Sequence, residues 1–276
     1  MNNGYKEKTT HTSKFVEDEQ PHSSYLNGYF VTATGTDVGK TFITALLVKK
    51  WRDLGIDAGY YKAALSGAEL RDGKWIAGDA DYVKRIANLP DSQEQLVSYI
   101  YKEAVSPHLA ARKEGNPVEL SKVREDFEAA CARHKFIFAE GSGGIICPIR
   151  YDNEAAASNA DNAANDAVNG ADDGAKAVPN TAPQKIFLVD IIKTLNLPIL
   201  VVTTAALGSI NACVLTVEYA RAHGLEVRGI IVNRYGMSGN FEMEDDNIKM
   251  MQDLTGLSIL AKLREGANDL GVTEIF

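Results

Sequence analysis

The chain has 276 residues, a mass of 30.0 kDa and a formal net charge of −8, and 45% of its residues are hydrophobic. This apolar share is ordinary for a protein that folds around a buried core, and the length suits one large domain or two small ones. The acidic balance argues against a protein that binds the nucleic-acid backbone, which needs a basic face. We therefore expect no nucleic-acid partner.

Three further features bear on where the chain works. No stretch reaches the roughly 18 consecutive apolar residues that a membrane-spanning helix requires, so we expect no membrane association. The cysteines, Cys131, Cys147 and Cys213, stand far apart and are odd in number, which disfavours a disulfide framework. Residues 1–27 are polar and lack the apolar core of a secretory signal. The sequence thus predicts a flexible polar N-terminal extension and a cytoplasmic protein.

Ordered structure is predicted from residue 28 onward. Apolar, β-branched runs typical of short buried strands occur at 29–33, 136–139, 198–203 and 227–233. Helices are predicted at 41–52, 80–87, 120–133, 210–223 and 245–254. Strands that alternate with helices indicate an α/β fold, with a mostly parallel twisted sheet and helices on both faces. We expect a single domain over residues 28–276.

One segment interrupts this pattern. Residues from about 154 to 183 are dominated by Ala, Asn and Asp, with almost no large apolar side chain. Such a segment cannot bury enough surface to offset the entropy of ordering it. The sequence predicts an inserted, mobile surface loop there.

The sharpest local signal is the run Ala33-Thr-Gly-Thr-Asp-Val-Gly-Lys-Thr41, which follows a strand and opens a helix. Backbone N–H groups at a helix N-terminus bind phosphate, and the helix dipole favours the anion. Gly39 lets the backbone approach closely, Lys40 is placed to reach the terminal phosphates, and the Thr41 hydroxyl is placed to bind Mg²⁺. The run therefore predicts a P-loop NTPase-type fold. The usual pattern puts a glycine at position 34, where this chain has Thr and the glycine follows it.

Further motifs follow the loop along the chain. They are Tyr61-Lys-Ala-Ala-Leu-Ser-Gly67, Gly78-Asp-Ala80, Ser106-Pro-His108, Ala139-Glu-Gly-Ser-Gly-Gly144, Leu207-Gly-Ser-Ile-Asn211 and Val232-Asn233. In this order, and together with the loop, they resemble the dethiobiotin synthetase family from about residue 28 to the C-terminus, apart from the insertion. The chain departs from the family's usual residues at Ala33, Ala63, Ser142 and Ala261.

The resemblance implies a ligase that carboxylates the vicinal diamine 7,8-diaminononanoate with CO2 and closes a cyclic urea, with ATP as co-substrate. Phosphoryl transfer leaves the protein mainly to position reactants and stabilise charge. By this resemblance Lys40 and Lys62 are the catalytic cations, and we expect Lys62 at the end of a short strand, where α/β folds place ligands. Thr41, Asp79 and Glu140 are expected to hold Mg²⁺, which prefers few protein carboxylates.

The resemblance also implies sets of binding residues. The nucleotide set is Asp37, Val38, Gly39, Lys40, Thr41, Phe42, Asp79, Glu140, Gly141, Ser142, Gly143, Asn233 and Leu263. The substrate set is Ser66, Ser106, Pro107, Gly208, Ser209, Ile210 and Asn211. In the family, the carboxylate tail of the substrate binds a helix N-terminus that the partner subunit provides, and 208–211 is its counterpart here. The free N–H groups of a helix N-terminus suit an anion. This implies a homodimer with shared sites.

Three alternatives remain open at this point. A nucleotide-dependent switch of the partition or iron-protein type carries a further lysine early in its loop, where this chain has Gly35. An amidating ligase related to cobyrinic acid synthases needs a glutaminase domain, for which the roughly 90 residues after Leu188 are too few. An inactive relative that acts as a binding module is supported only by the shifted glycine of the loop.

Overall fold

The computed structural model describes residues 28–152 and 184–271. The helices are α1 (Lys40–Asp53), α2 (Gly78–Ala87), α3 (Gln93–Leu96), α4 (Pro107–Glu114), α5 (Leu120–Arg133), α6 (Leu188–Leu195), α7 (Ser209–Ala222) and α8 (Phe241–Thr255). The strands are β1 (Gly28–Ala33), β2 (Ala58–Ser66), β3 (Glu69–Arg71), β4 (Lys74–Ile76), β5 (Val97–Tyr101), β6 (Phe136–Glu140), β7 (Pro148–Tyr151), β8 (Lys185–Phe187), β9 (Ile199–Thr203), β10 (Val227–Val232) and β11 (Ile259–Lys262). The predictions for residues 1–27 and for about 154–183 lie outside the described residues.

Seven strands form one parallel sheet in the order β11-β10-β9-β1-β6-β2-β5. The central strand β1 pairs with β6 on one side and β9 on the other. The chain first builds β2, β5 and β6 on one side of β1 and then crosses to β9, β10 and β11 on the other, so the strand order reverses at β1 and opens a crevice at its carboxyl end, where open α/β sheets bind ligands. Two antiparallel pairs, β3–β4 and β7–β8, lie outside this sheet. The predicted α/β class with a parallel sheet is confirmed.

Apolar layers cover both faces of the sheet, because successive side chains of a strand point to opposite faces. Phe30 of β1 lies in the layer that contains Phe127 of α5, whereas the next residue, Val31, lies in the layer that contains Trp51 of α1. Strands buried on both faces read as continuous apolar runs, which is why β1, β6, β9 and β10 could be recognised in the sequence. Among the described helices, none is both long enough and apolar enough to cross a lipid bilayer.

The structure corrects one placement that bears on the site. Lys62 lies in the middle of β2 and not at its end, because the strand continues to Ser66. The continuation pairs with β5, with Ser66 opposite Tyr101. The first helical turn of α8 was also missed: this helix begins at Phe241, after Asn240, whose side chain caps it.

Candidate active site

The loop between β1 and α1 is held against the end of β10. Gly39 immediately precedes α1 and has φ 98°, a left-handed conformation that glycine adopts without steric cost. The Asn233 side chain lies directly over it, so a Cβ atom at Gly39 would stand 2.1 Å from Asn233 Nδ2. That Nδ2 donates a hydrogen bond to the Val38 carbonyl at 2.9 Å. Backbone conformation and amide contact therefore support the same loop shape.

A cavity of about 470 Å³ opens beside this loop. Its lining residues are Thr36, Asp37, Gly39, Lys40, Thr41, Lys62, Leu65, Ser66, Asp79, Glu140, Ser142, Gly143 and Arg234. All of them except Thr36, Leu65 and Arg234 were predicted from the sequence. The residues expected to contact phosphate and metal thus converge on one space.

At the centre of the cavity lining, the Lys62 ammonium group lies between two carboxylates. Its Nζ donates to Asp79 Oδ2 at 2.6 Å and to Glu140 Oε1 at 2.9 Å. The register of the sheet places Lys62 of β2 directly beside Glu140 of β6, while Asp79 comes from the first turn of α2. From α1, the Thr41 hydroxyl donates to the same Glu140 Oε1 at 2.7 Å. The buried Glu140 carboxylate therefore joins β6 to β2 and α1, and Lys62 links α2 to this group through Asp79.

These contacts keep the group ionised. Burial by itself would lower the pKa of Lys62, but the Glu140 and Asp79 carboxylates outweigh it and raise the pKa above the ordinary range. Burial would raise the pKa of Asp79, but the charge and hydrogen bond of Lys62 outweigh it and lower that pKa. Lys62 and Asp79 thus stabilise each other in their charged forms.

Lys40 has a different environment from Lys62. Its side chain is buried, and its Nζ donates to the Gly35 carbonyl at 3.1 Å. No ion pair joins it to a carboxylate within the described part of the chain. Burial and the neighbouring Lys62 charge lower the pKa of Lys40, while the site carboxylates oppose this. A phosphate group in the cavity would supply the missing counter-charge.

A smaller cavity of about 170 Å³ lies on the other side of Gly39. It is lined by Gly39, Phe42, Asn233, Arg234, Glu265 and Gly266. The Asn233 Oδ1 atom is buried and has no hydrogen-bond partner among the described residues. Since the Val38 carbonyl must face the amide N–H group, Oδ1 is the atom left over, and a buried acceptor without a donor is uncommon. It fits a ligand that carries an N–H group.

Two further residues define this region and were missed by sequence reasoning. Arg234 lines both cavities, and its Nη1 donates to the Asp37 carbonyl at 2.9 Å. Tyr60 does not line the larger cavity, but its hydroxyl donates to Glu140 Oε2, a lining residue, at 3.0 Å. Tyr60 stands two positions before Lys62, so strand alternation puts both side chains on one face. That spacing was the available signal.

Some predicted residues lie outside both cavities. Leu263 is buried and is bonded through its backbone to Val232 and Tyr235. Ser106 and Pro107 begin α4 and line neither cavity, and the same is true of the stretch 208–211 at the start of α7. Within a single chain, the structure therefore brings together residues expected to contact phosphate and metal but not the residues expected to bind the substrate's tail.

Comparison with known proteins bears directly on this arrangement. A family model described as an AAA domain matches residues 27–166 and 168–267. The ATP-dependent dethiobiotin synthetase BioD of Brachyspira hyodysenteriae is 45% identical over 238 residues, which are 86% of this chain and 91% of the relative. The chain belongs to the dethiobiotin synthetase family. The corresponding protein of Clostridium botulinum strain Eklund 17B is 44% identical over 84% of this chain and 88% of the relative.

Membership of the dethiobiotin synthetase family decides between the alternatives left open by the sequence. It favours an ATP-dependent ligase over a nucleotide-dependent switch or an amidating enzyme. The solved structure of a ParA family ATPase of Chlorobium tepidum superposes on this chain with a TM-score of 0.47 and 13% identity. The superposition covers 87% of this chain and 85% of the ATPase chain. This likeness is too distant to speak to activity.

Proposed function

We propose that the chain converts 7,8-diaminononanoate, CO2 and ATP to dethiobiotin, ADP and phosphate at the cavity beside the phosphate loop. ATP dependence and the ligase class follow from the family. The observation that carries the residue assignment is the Lys62 ammonium group, held between Asp79 and Glu140 and adjoining Lys40 and Thr41 in one cavity. This grouping provides cations for transferring phosphate and oxygen ligands for a metal in the same place.

The proposed reaction has three steps. One amine of the substrate adds to CO2 and loses a proton, which gives a carbamate. A carbamate oxygen then attacks the γ-phosphorus, the bond from phosphorus to the bridging oxygen breaks, and ADP leaves. The second amine attacks the carbamoyl carbon, loses a proton and expels phosphate, which closes the cyclic urea. Each step develops negative charge on oxygen, and the ammonium groups of Lys40 and Lys62 are positioned to stabilise it.

The oxygen donors of the site suit Mg²⁺. Thr41 supplies a hydroxyl and Asp79 and Glu140 supply one carboxylate each, in keeping with a cation that keeps several waters and phosphate oxygens in its shell. Within the described residues no cluster of three or more His, Cys, Asp or Glu side chains forms a dedicated metal cage. When bound, Mg²⁺ would neutralise charge on the β- and γ-phosphates. Lys62 holds both carboxylates in place toward the cavity.

A homodimer with shared sites would complete the substrate site. The residues expected to bind the substrate's carboxylate, 208–211, line neither cavity of their own chain. At this helix start, Ser209 Oγ is buried without a partner among the described residues, and the neighbouring Leu207 is 88% exposed. These features support a helix N-terminus that is covered by a second copy and binds its substrate. All three cysteines are free, which supports a reducing compartment such as the cytoplasm.

The direct test is phosphate release from MgATP and bicarbonate, measured with and without 7,8-diaminononanoate. We expect release to require the diamine and to yield a product with the mass of the cyclic urea. ATP hydrolysis that ignores the diamine would point instead to a switch, and no hydrolysis would point to an inactive relative. Lys62→Ala should abolish release, whereas Lys49→Ala, which removes an exposed lysine of α1 paired with Asp53, should not.

Shared sites are tested by complementation. Lys62→Ala and Ser209→Asp should each be inactive alone, since one lacks the cation and the other repels the substrate's carboxylate. If each site draws on two subunits, mixing and refolding the two variants restores about a quarter of the native sites, because half of the dimers are mixed and each has one intact site. No recovery in mixtures shown to be dimeric would refute shared sites.

A further inference from the structure

Strand β2 contains two adjacent tyrosines, Tyr60 and Tyr61, which are both buried but contact different parts of the protein. Strand alternation sends them to opposite faces of the sheet. The Tyr61 hydroxyl donates to the Val123 carbonyl at 3.0 Å, away from the cavity. The Tyr60 side chain shares the face of Lys62, and its hydroxyl donates to Glu140 Oε2 at 3.0 Å. Only Tyr60 of this pair therefore touches the residues of the proposed site.

The Tyr60 hydroxyl completes the hydrogen bonding of the Glu140 carboxylate. Oxygen Oε1 accepts from Thr41 and Lys62, and Oε2 accepts from Tyr60. Glu140 is buried, and a buried carboxylate is stable only when its oxygens are paired. The Tyr60 hydroxyl thus anchors one end of the carboxylate while Thr41 and Lys62 hold the other.

We propose that Tyr60 is a positioning residue for the metal and phosphoryl site, because its hydroxyl fixes Glu140 Oε2 and thereby keeps Oε1 directed at Thr41 and Lys62. The inference rests on the proposed role of Glu140 in holding Mg²⁺. Mg²⁺ demands near-ideal octahedral geometry, so a ligand free to rotate binds it less well. Hydrogen bonds that orient ligating carboxylates typically change metal affinity by about 10- to 100-fold.

A purely structural role predicts something different. Tyr60 is also part of the apolar layer between β2 and α1, and its ring fills space there. Phenylalanine keeps the ring and removes only the donor. If the ring alone matters, Tyr60→Phe changes neither metal affinity nor the Mg²⁺ requirement. If the hydroxyl positions Glu140, both change.

The experiment compares Tyr60→Phe with Tyr61→Phe, each of which removes one buried hydroxyl from the same strand. Mn²⁺ serves as the probe for Mg²⁺, and its binding to the protein with a non-hydrolysable ATP analogue is followed by electron paramagnetic resonance. We expect Y60F to bind Mn²⁺ about tenfold or more weakly, with a matching rise in the Mg²⁺ needed for half-maximal turnover. Y61F should match the native protein in both. Native metal binding by Y60F would overturn the proposal.

Further variants cover the remaining outcomes. If Y60F does not fold, Tyr60→4-aminophenylalanine, which keeps an N–H donor, is expected to retain Mn²⁺, and Tyr60→4-fluorophenylalanine, which has no donor, to lose it. Equal Mn²⁺ binding by these two variants would also overturn the proposal. Glu140→Gln separates the two levels of inference. Native Mn²⁺ binding by E140Q contradicts the proposed metal site itself, whereas weak binding by E140Q with native binding by Y60F contradicts only the role of Tyr60.

Discussion

Replacing Gly39 with alanine tests whether the phosphate loop and the smaller cavity depend on each other. The substitution adds a single methyl group at a residue with φ 98°. This methyl carbon would lie 2.1 Å from Asn233 Nδ2, far inside van der Waals contact, so the amide has to move. The change therefore strains the backbone and displaces the side chain that we assign to nucleotide binding.

The structure gives the size of the effect. A left-handed conformation costs a residue with a Cβ atom about 1–2 kcal/mol. Displacing Asn233 breaks its 2.9 Å hydrogen bond to the Val38 carbonyl, which contributes roughly 0.5–1.5 kcal/mol. We expect Gly39→Ala to lower the free energy of unfolding by about 1.5–3.5 kcal/mol. The displaced Asn233 amide also loses its proposed contact with the nucleotide, and a loss of about 1.4 kcal/mol of binding free energy would lower ATP affinity about tenfold.

The matched control is Gly35→Ala in the same loop. A Cβ atom there meets only Val38 Cγ2, at 3.8 Å, an ordinary contact, and Gly35 is not among the described residues with positive φ. Urea unfolding measures the stability of both variants, and calorimetric titration with the ATP analogue measures their affinity. If G39A is as stable as G35A and binds nucleotide equally well, the coupling inferred from the Asn233 contact is wrong.

Three other outcomes follow from the ionised groups. Lys62→Met leaves two carboxylates without their cation, and steady-state kinetics should show turnover reduced by about 10²- to 10³-fold. If Lys62→Met lowers turnover less than the control Lys49→Met does, the assignment of Lys62 as a catalytic cation is wrong. Burial and Lys62 lower the pKa of Lys40, so this group should lose its proton at a lower pH than an exposed lysine does. We therefore expect kcat/KM for ATP to begin to fall at that lower pH as the solution becomes more alkaline. A flat alkaline profile would argue against a protonated Lys40 in ATP binding. Burial would raise the pKa of Asp91, but its bonds to His134 and Arg133 outweigh this and lower it. Its stabilisation is therefore present at neutral pH and lost as the pH falls. Asp91→Asn should lower the free energy of unfolding at pH 7 by about 3–5 kcal/mol, and this difference from the native protein should vanish below about pH 4 in urea titrations. A difference in stability that does not change with pH would refute the role of the ionised Asp91.

The site residues that could be predicted from the sequence are those that belong to a recognisable local sequence pattern. A strand, a glycine turn and a helix in succession suffice to predict the phosphate loop, and Glu140 follows directly on the apolar run of β6. The position of Lys62 was wrong because strand length depends on the partner strand. β2 runs on to Ser66 where it pairs with β5, and nothing in its own sequence marks that pairing.

Residues that act across the sheet were harder to predict. Tyr60 gains its role only because β6 lies beside β2, although 78 residues separate Lys62 from Glu140. Arg234 reaches the Asp37 carbonyl across a separation of 197 residues. Neither contact has a local pattern, since the order of strands in the sheet is set by how all the elements pack. The alternation of side chains along a strand could place Tyr60 on the same face of the sheet as Lys62. Only the observed pairing of β2 with β6 shows that Tyr60 contacts Glu140 there.

The shifted glycine of the loop was the one sequence feature that favoured an inactive relative, and the structure explains why the loop conformation does not depend on it. Thr34 continues the pairing of β1 with β9, because its N–H group donates to the Val202 carbonyl at 3.0 Å. In this loop the positive φ angles occur at Asp37 and Gly39, so the backbone does not require glycine at position 34. The Gly35 carbonyl accepts from Lys40, a contact that any residue at position 35 could provide. The conformation that presents the phosphate-binding groups thus depends on Gly39, which the chain keeps, and not on the glycine that moved.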